Sequence, residues 1–323
     1  MGTDKPLISI LMAVYEPRMD WLRQQMVSLN EQTYPNLRLY IREDCSPTVP
    51  YEQIQSCVRD CITRFPYVIT RNEKNLGSNA TFELLTKEAE GDLFAYCDQD
   101  DVWLPEKLTV LQAAMERERA RLVCSDMYII DGDGKQVADS ITKVRRHHVF
   151  RSGRDLAEGL LTHNFVTGCT MLVQSDAAKR AIPFCPHMVH DHYIALCCAA
   201  EGTVYSSPER TIRYRIHGGN QTGIMSGVQD KESYLNVRIS AVEEKLRWLE
   251  KYFPYHDDLN KSIHRRLLWT QARKENWQGK GHMSELWQRR DCGRQVTAYE
   301  ILAARLPEKL FMKTISLARR NIM

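Results

Sequence analysis

The chain has 323 residues and a formal net charge of +3, and 43% of its residues are hydrophobic and 26% are charged. This composition excludes collagen-like and disordered proteins. No apolar run approaches the roughly 20 residues that a membrane-spanning helix requires, and the first residues lack the pattern of a secretion signal, so we expect a cytoplasmic protein. The ten cysteines show no disulfide framework, and five inside apolar runs are expected to be buried free thiols: Cys97, Cys124, Cys169, Cys197 and Cys198.

From the N-terminus to about residue 126, strand-like apolar runs alternate with amphipathic runs of helical spacing. This alternation predicts an α/β domain with a central sheet built from βα units. Because ligands bind at the carboxyl ends of strands in such sheets, the turns after the strands are the expected site. The predicted strands are 7–14, 37–43, 66–71, 92–97 and 121–126, and the predicted helices are 18–32, 51–64, 78–89 and 104–118.

The pattern is less regular after residue 126. Asp-Gly-Asp-Gly at 131–134 lacks most ligand positions of a calcium loop and is predicted to be a hairpin turn. The segment 143–154, with His147 and His148, is interpreted as a solvated basic loop, with a mobile lid as the alternative. Further strands are predicted at 167–174, 203–206 and 211–216, and helices at 191–201, 229–252, 259–277 and 296–320.

The positive charge is concentrated at the C-terminal end of the sequence. Residues 226–323 contain 19 lysines and arginines against 12 acidic residues, whereas residues 1–225 contain 25 against 29. We therefore predict a first domain over 1–225 and a basic helical extension over 226–323. The extension could contact an anionic lipid surface or present an ordinary solvated face, and no motif in it indicates nucleic-acid binding.

The strand predicted at 92–97 ends in Asp98-Gln99-Asp100-Asp101, which places three carboxyl groups within four residues. Like charges this close raise one another's pKa unless a cation neutralises them. Asp98 and Asp100 are therefore a candidate site for Mg²⁺ or Mn²⁺, which prefer oxygen ligands and bridge phosphates. Asp101 has a second interpretation, as the N-cap of the helix that follows.

A displacement at a metal-bound diphosphate also needs a base that activates the attacking group. Asp191 precedes a predicted helix and is the candidate base, although it could also cap that helix. His217 ends a predicted strand and is followed by two glycines, so it could approach the metal or the diphosphate. Arg213 and Arg215 alternate on one face of that strand and could contact phosphate or pair with surface carboxylates.

Several motifs, in their order and spacing, resemble the inverting family 2 glycosyltransferases over roughly residues 5–223. Asp98-Gln99-Asp100-Asp101 is similar to the DXD motif of that family. The sequences HDHY at 190–193 and YRIHGGN at 214–220 resemble motifs of its bacterial rhamnosyltransferase-like branch. The N-terminal sequences that carry the resemblance are LISILMAVY at 7–15, QTYPN at 32–36, REDCS at 42–46 and NLG at 75–77.

The resemblance implies a Rossmann-like GT-A fold and direct displacement, with inversion, at the anomeric carbon of a nucleoside-diphosphate sugar. It implies that Asp44 contacts the nucleobase and that Asp191 is the general base. Asp98 and Asp100 would position the diphosphate and a Mn²⁺ or Mg²⁺ ion, with His217 as a further metal or diphosphate ligand. The other residues implied in the nucleotide-sugar site are Ala13, Tyr15, Glu16, Asn75 and Gly77.

The expected partners are a donor such as dTDP-rhamnose or a UDP-sugar, and a hydroxyl group of a growing, lipid-linked cell-surface glycan. We expect an enzyme at the inner face of the cell membrane that adds a single sugar, because no signature of a processive synthase follows. Two other hypotheses are a nucleotide-sugar-binding assembly subunit without activity and a DXD-type phosphatase. A phosphatase would carry this motif after its first strand, whereas here it follows the fourth.

Overall fold

The computed structural model describes two compact units. The predicted domain boundary between 225 and 226 lies outside the described residues. The described ranges are 5–145, 147–217, 227–253 and 257–322. The first unit comprises 5–144, 148–184 and 189–217, and the second comprises 145, 147, 185–188, 227–253 and 257–322.

The first unit is organised around one mixed sheet. Its strands are β1 (Ile8–Val14), β2 (Leu37–Glu43), β3 (Tyr67–Arg71), β4 (Leu93–Cys97), β5 (Val102–Trp103), β6 (Leu122–Ile130), β7 (Gln136–Ala138), β8 (Met171–Gln174) and β9 (Val204–Arg215). Within the described residues the strand order is β3-β2-β1-β4-β8-β6-β9-β5, and β7 pairs with β6. β1 to β4 run parallel, whereas β8 is antiparallel to both β4 and β6.

Helices connect the parallel strands, as the alternating pattern predicts. They are α1 (Met19–Asn30), α2 (Tyr51–Cys61), α3 (Ser78–Glu88), α4 (Lys107–Glu118), α5 (Ile141–Val144), α6 (Ala157–Leu160), α7 (Ser175–Arg180) and α8 (His190–Glu201). All five residues of β4 are buried, as expected for a strand covered on both faces of the sheet. The predicted α/β architecture is therefore confirmed, and the five cysteines expected in the core are buried thiols.

Three predicted strands of the first unit differ from the structure. The strands predicted at 203–206 and 211–216 are one strand, β9, because two register shifts in its pairing with β6 accommodate the interruption around Pro208. The strand predicted at 167–174 begins only at Met171, after a short 3₁₀ turn over Gly168–Thr170. The hairpin turn at 131–134 is confirmed, with the Gly134 N–H donating to the Asp131 carbonyl at 3.0 Å.

The second unit is helical in its described residues, as predicted for the C-terminal part. Pro307 lies between its last two helices, so the helix predicted at 296–320 is in fact two. Tyr234, Trp277 and Phe311 form an aromatic centre, with the first two rings stacked 4.7 Å apart. The helices are α9 (Lys231–Tyr234), α10 (Ala241–Tyr252), α11 (Asp257–Trp277), α12 (Met283–Gln288), α13 (Arg294–Ala303) and α14 (Glu308–Ile322), with a π-helix over Leu235–Ser240 and a 3₁₀ turn over Arg290–Cys292.

In the parts of the chain that the structure describes, no helix is both long enough and apolar enough to cross a membrane.

Candidate active site

The candidate site lies at the carboxyl edge of the parallel strands in the first unit. β1 lies between β2 and β4, and its register aligns Val14 with Glu43 and Met12 with Cys97. The turns that follow these three strands therefore meet at one edge of the sheet, as expected for a ligand site in an open α/β sheet.

Asp44 follows β2 and joins it to the loop that precedes α3. Its carboxylate accepts hydrogen bonds from the main-chain N–H groups of Leu76 and Gly77, both at 2.8 Å, and from the Asn72 side chain at 2.7 Å. Gly77 has a φ of +81°, which favours glycine at this turn. Asp44 and Gly77 are thus in direct contact, whereas the side chain of Asn75 is exposed.

A second layer of hydrogen bonds orients Asp44. The Asn72 amide that donates to Asp44 also accepts from Arg42 at 2.8 Å through its oxygen, which fixes the orientation of the amide. Arg42 in turn pairs with Glu88 on α3. The sequence indicates a polar turn after β3 but not these linked hydrogen bonds, because the partners come from three separate elements.

The turn after β1 is joined to the acidic cluster by a side-chain amide. Gln99 accepts from the Tyr15 N–H at 2.8 Å and donates to the Tyr15 carbonyl at 2.9 Å. Glu16 adopts a φ of +46°, and hydrogen bonds from the hydroxyl and N–H of Thr48 lower its pKa. Tyr15 is 42% exposed and Ala13 is half-buried, so this turn presents the Tyr15 ring and a small side chain at the edge.

The acidic cluster is strongly repulsive. Burial, followed by the charges of Asp100 and Asp191, raises the pKa of Asp98 to about 7. Asp191 accepts from the Gly168 N–H at 2.9 Å, and the sulfur of the next residue, Cys169, lies within 4.8 Å of an Asp98 carboxylate oxygen. The segment around Gly168 thus links the start of α8 to the end of β4. The structure therefore brings together the candidate base and the first residue of the DXD-like motif.

Asp101 is a structural residue inside this cluster, and its interpretation as a helix cap is wrong. It is fully buried and accepts the main-chain N–H of Arg215 at 2.9 Å, whereas Glu106 occupies the N-cap position of α4. Burial and the neighbouring carboxyls raise its pKa well above the usual range. The main-chain N–H of Arg215, on β9, thus takes the place of a local capping contact.

A buried lysine lies beneath the cluster. Lys107 is 1% exposed, its ammonium donates to the Cys169 carbonyl, and it lies 3.8 Å from the centroid of the Trp103 ring. Burial lowers the pKa of Lys107 to about 8, against the opposing charges of Asp101 and Asp98. Sequence analysis missed this residue, because a lysine at the start of an amphipathic helix is usually solvated.

Asp191 is held by two donors. Its oxygens accept from the Asn164 side chain at 3.1 Å and from the Gly168 N–H at 2.9 Å. Val189 occupies the N-cap position of α8, and Asp191 lies in the first turn, so its interpretation as the N-cap is wrong. The carboxylate therefore points toward the 164–168 segment.

The residue before Asp191 supports it through packing. The His190 ring stacks on Phe82, 4.1 Å between centroids, and lies 5.5 Å from the Tyr96 ring. Burial lowers the pKa of His190 to about 3, so it is neutral at physiological pH. His190 is thus an aromatic packing residue that fixes the start of α8.

His217 and Asp100 form the remaining contact of the predicted set. The His217 Nε2 lies 2.7 Å from an Asp100 carboxylate oxygen. The glycines predicted to give His217 access to a ligand, Gly218 and Gly219, lie outside the described residues. Asp98, Asp100, Asp191 and His217 all belong to the first unit.

Comparison with known protein families decides the broader identity. The model of glycosyl transferase family 2 matches residues 9–180, which is more than half of the chain and includes β1 to β8. The chain belongs to glycosyl transferase family 2. The sequence resemblance to this family is confirmed, whereas the rhamnosyltransferase-like branch is not established by the comparison.

Relatives with curated names support the same family. An uncharacterized glycosyltransferase of Methanocaldococcus jannaschii is 31% identical over 132 residues, 41% of this chain and 45% of that protein. A candidate colanic acid biosynthesis glycosyl transferase of Escherichia coli, WcaA, is 31% identical over 138 residues, 40% of this chain and 46% of that protein. The matches span about half the length of these relatives.

Solved structures show the same fold. The Staphylococcus aureus TarS 1–349 structure in complex with UDP-GlcNAc has a TM-score of 0.58 and 15% identity, and the match covers 91% of this chain and 81% of TarS 1–349. The TarS structure in complex with UDP gives a TM-score of 0.54. The GT-A fold expected for a family 2 glycosyltransferase is therefore confirmed.

Family 2 members commonly use a divalent metal, and two sets of side chains in this site offer ligand atoms. Asp98, Asp101 and Cys169 have ligand atoms within 4.8 Å of one another. Burial raises the pKa of the Cys169 thiol well above its usual range, which makes it a poor ligand, and Asp101 is occupied by Arg215.

The set predicted from the sequence, Asp98, Asp100 and His217, stays a prediction, and within it the structure shows the contact between Asp100 and His217. It offers carboxylate oxygens and an imidazole nitrogen, which suit Mn²⁺ or Mg²⁺. The 2.7 Å between the Asp100 oxygen and the His217 nitrogen is close to the separation of neighbouring ligands at metal–ligand distances of roughly 2.1 Å. A cation would also relieve the repulsion that raises the pKa of Asp98.

Two residues that support the candidate base in this family 2 chain were missed by sequence analysis. Gly168 was placed inside a predicted strand, where a glycine can signal the close approach of other atoms, and here it contacts His190 and Asp191. Asn164 lies in a segment without regular secondary structure, and no sequence pattern distinguishes it from an ordinary loop residue.

Proposed function

We propose that this protein transfers a sugar from a nucleoside-diphosphate donor to a hydroxyl group of an acceptor, with inversion at the anomeric carbon. The observation that carries the proposal is that adjacent residues contact both carboxyl groups. The Gly168 N–H donates to Asp191 at 2.9 Å, and the Cys169 sulfur lies within 4.8 Å of an Asp98 carboxylate oxygen. Direct displacement needs a base for the acceptor and charge stabilisation for the leaving group at the same carbon, and this arrangement could supply both.

In the proposed reaction, the acceptor oxygen forms a bond to the anomeric carbon while the bond from that carbon to the diphosphate oxygen breaks. The acceptor proton passes to a carboxylate oxygen of Asp191, and the diphosphate leaves with the electron pair of the broken bond. Gly168 and Asn164 orient Asp191 before an acceptor arrives. A divalent cation held by Asp98, Asp100 and His217 would stabilise the negative charge on the leaving diphosphate.

The hydrogen bonds of Asp44 favour uracil or thymine as the nucleobase. An ionised carboxylate offers about four acceptor positions, and the Leu76, Gly77 and Asn72 donors use three of them. One more donor fits, such as the imide N–H of uracil or thymine, whereas cytosine presents an acceptor at that ring position. UDP-sugars and dTDP-sugars, including dTDP-rhamnose, are therefore the proposed donors, in line with the UDP-GlcNAc bound to TarS.

The other residues proposed to line the donor site follow from their place at the same edge. Tyr15 and Ala13 present their side chains at the end of β1, and Glu16 shapes the turn through Thr48. Asn75 and Gly77 lie on the loop that Asp44 holds. The proposed catalytic domain is 1–225 and the proposed extension is 226–323.

Donor binding is tested first by thermal shift with UDP, dTDP, GDP and CDP, each with Mn²⁺ and with EDTA. A ligand that binds only the folded state raises the melting temperature. We expect a metal-dependent increase with UDP or dTDP and none with CDP. Absence of a shift with all four nucleotides would contradict the donor assignment.

The role of Asp191 is tested by Asp191→Asn, which keeps the shape of the side chain and removes the base. We expect turnover to fall by roughly 10² to 10⁴-fold, because that is the usual contribution of a general base. Calorimetric affinity for UDP with Mn²⁺ should be unchanged, and the exposed Asp139→Asn is the matched control. Retained turnover in Asp191→Asn would assign the base to another residue.

The proposed acceptor is a lipid-linked cell-surface glycan, reached from the cytoplasmic face of the membrane. The exposed side of α14 presents two leucines, Leu310 and Leu317, together with Lys309 and Lys313. A helix with exposed leucines beside lysines suits an anionic lipid surface, where each lysine contributes about 1 kcal/mol. The match to WcaA, whose name refers to colanic acid biosynthesis, is in line with a glycan acceptor.

Membrane contact is tested by sedimentation with vesicles of phosphatidylcholine alone and with added phosphatidylglycerol. We expect co-sedimentation only with the anionic vesicles, and its loss in a Lys313→Glu, Leu317→Ser variant. A Lys251→Glu, Tyr252→Ser variant makes a matched change on the exposed surface of α10. Equal recovery of the unmodified protein in both supernatants would refute membrane contact.

A further inference from the structure

Arg215 differs from the two roles that its sequence position suggested. It is 1% exposed, whereas Arg213 on the same strand is exposed, so only the Arg215 side chain is enclosed by neighbouring elements. The Arg215 guanidinium donates to the Asp100 carbonyl at 2.8 Å, to the Asp131 carbonyl at 3.1 Å and to the Gln24 side chain at 2.8 Å. It is a buried cation directed at main-chain oxygens.

We infer that Arg215 and Trp21 are positioning residues that hold Asp100 and His217 at the separation needed to contact the donor diphosphate and its metal ion. The inference rests on the proposed function, because that function places Asp100 and His217 at the diphosphate. It adds a pair of residues that touch neither donor nor acceptor.

The first argument is that Arg215 is hydrogen-bonded to the Asp100 side of the contact and is joined to His217 through the chain. Its side chain holds the carbonyl of Asp100, and its main-chain N–H holds the carboxylate of Asp101 at 2.9 Å. His217 follows only two residues later on the same chain segment. The 2.7 Å between His217 and Asp100 is therefore set by hydrogen bonds at a single neighbouring residue.

The second argument is that Trp21 supports the same residues from α1. Its ring lies 5.0 Å from the His217 ring and 4.9 Å from the Arg215 guanidinium carbon. The indole N–H donates to the Gly132 carbonyl at 3.2 Å, which also accepts from Arg215 at 3.3 Å. Trp21 thus restrains His217 by packing and Arg215 through a shared acceptor.

The third argument is chemical. A guanidinium has five N–H donors in a fixed plane, so it can bind the Asp100, Asp131 and Gly132 carbonyls and the Gln24 amide together. Lysine presents a single nitrogen and cannot reach acceptors on four sides. Arg215→Lys therefore keeps the charge and removes the geometry, which separates positioning from electrostatics.

The test compares Arg215→Lys with Arg213→Lys, an exposed control on the same strand. The first measurement is the NMR signal of the His217 ring in metal-free protein labelled at histidine, assigned with His217→Gln. We expect this signal to move in Arg215→Lys and to stay at its original position in Arg213→Lys. Loss of stability alone would not move it while the protein is folded.

The second measurement separates the two ends of the donor site. We expect the affinity for Mn²⁺ in the presence of UDP to fall about 10 to 100-fold in Arg215→Lys, the usual effect of losing a residue that orients metal ligands. Uridine, which lacks the diphosphate, should bind with unchanged affinity. A purely structural defect would weaken uridine and UDP alike.

The inference is overturned if Arg215→Lys gives the same His217 signal and the same Mn²⁺ affinity as Arg213→Lys. If Arg215→Lys does not fold, Trp21→Leu decides in its place, because it removes the ring beside His217, and Trp21→Phe retains a ring there. Because loss of the Trp21 ring current changes the His217 signal by itself, the affinity for Mn²⁺ in the presence of UDP is the readout for this variant. An unchanged Mn²⁺ affinity in Trp21→Leu would equally refute the inference. Failure of the unmodified protein to bind UDP or dTDP would refute the proposed function instead, while the metal-free His217 signal would still test positioning.

Discussion

Replacing Gly168 with alanine would test how tightly the candidate base is held. A Cβ at this position would lie 2.8 Å from the Nε2 of His190 and 3.6 Å from the Cβ of Asp191. The first distance is well below van der Waals contact. His190 cannot easily move away, because its ring is stacked on Phe82 at 4.1 Å and lies close to Tyr96.

The size of the effect follows from these contacts. Forcing one methyl group into a packed site costs about 1–3 kcal/mol, and the backbone at Gly168 is not in the left-handed region, so the cost is steric. The Gly168 N–H is also a donor to Asp191, at 2.9 Å. A shift of this segment would move Asp191, and a misplacement of about 1 Å can cost roughly 10²-fold in rate.

We therefore expect Gly168→Ala to lower the urea midpoint of unfolding and to reduce sugar transfer from UDP-sugar or dTDP-sugar about 10 to 100-fold, with little change in donor affinity. Gly159→Ala is the matched control, because a Cβ there meets no atom within 4 Å and alanine favours the short helix α6. If Gly168→Ala has the stability and turnover of the unmodified protein, the contact between Gly168 and Asp191 is not rigid. That result would refute the expectation that Gly168 fixes the position of Asp191.

Three further predictions follow from other contacts. The pKa of Asp98 is raised from 3.8 to about 7, so the folded state retains a proton between these two pH values. In EDTA, the free energy of unfolding should therefore fall as the pH rises through this window. Asp98→Asn should remove this pH dependence in thermal melts. Glu300→Gln should destabilise the second unit by about 3–5 kcal/mol in urea titrations, because it leaves the buried guanidinium of Arg273 uncompensated, whereas the exposed Glu244→Gln should be neutral. Asp44→Asn turns an NH₂ group toward one of the main-chain N–H donors of Leu76 and Gly77. It should weaken UDP binding by about 1–3 kcal/mol in calorimetry. An unchanged affinity for UDP would contradict the role of Asp44.

The strands β1 to β4 could be predicted from the sequence because their sequence signals are local. β2 begins and ends where the apolar run does, and β1, β3 and β4 start within one residue of their predicted positions. The turns that follow these strands carry Asp44 and Asp98, so the topology alone places both at one edge. The rest of the sheet was predicted less well, since β9 depends on a long parallel pairing with β6 that no local pattern records.

The orientation of side chains in the candidate site could not be predicted in the same way. Asp101 and Asp191 both satisfy the local rule for a helix cap, yet Arg215 and Gly168 respectively bind them instead. These partners are separated from the aspartates by 114 and 23 residues. A capping rule considers only the next few residues, so it fails where tertiary contacts offer a better donor.

The acidic cluster illustrates how such contacts combine. The ammonium of Lys107 and a hydrogen bond from Cys169 both favour the ionised form of Asp98, but burial and the charges of Asp100 and Asp191 outweigh them and raise its pKa to about 7. The fold therefore keeps carboxyl groups together at a free-energy cost that its own cations only partly offset. A divalent cation at the proposed site would offset this cost, whereas a fully neutralised cluster would have little affinity for one. Arg215 donates to the Asp100 carbonyl and Gln99 is bonded to Tyr15, so the main chain of this turn is tied to two other parts of the site.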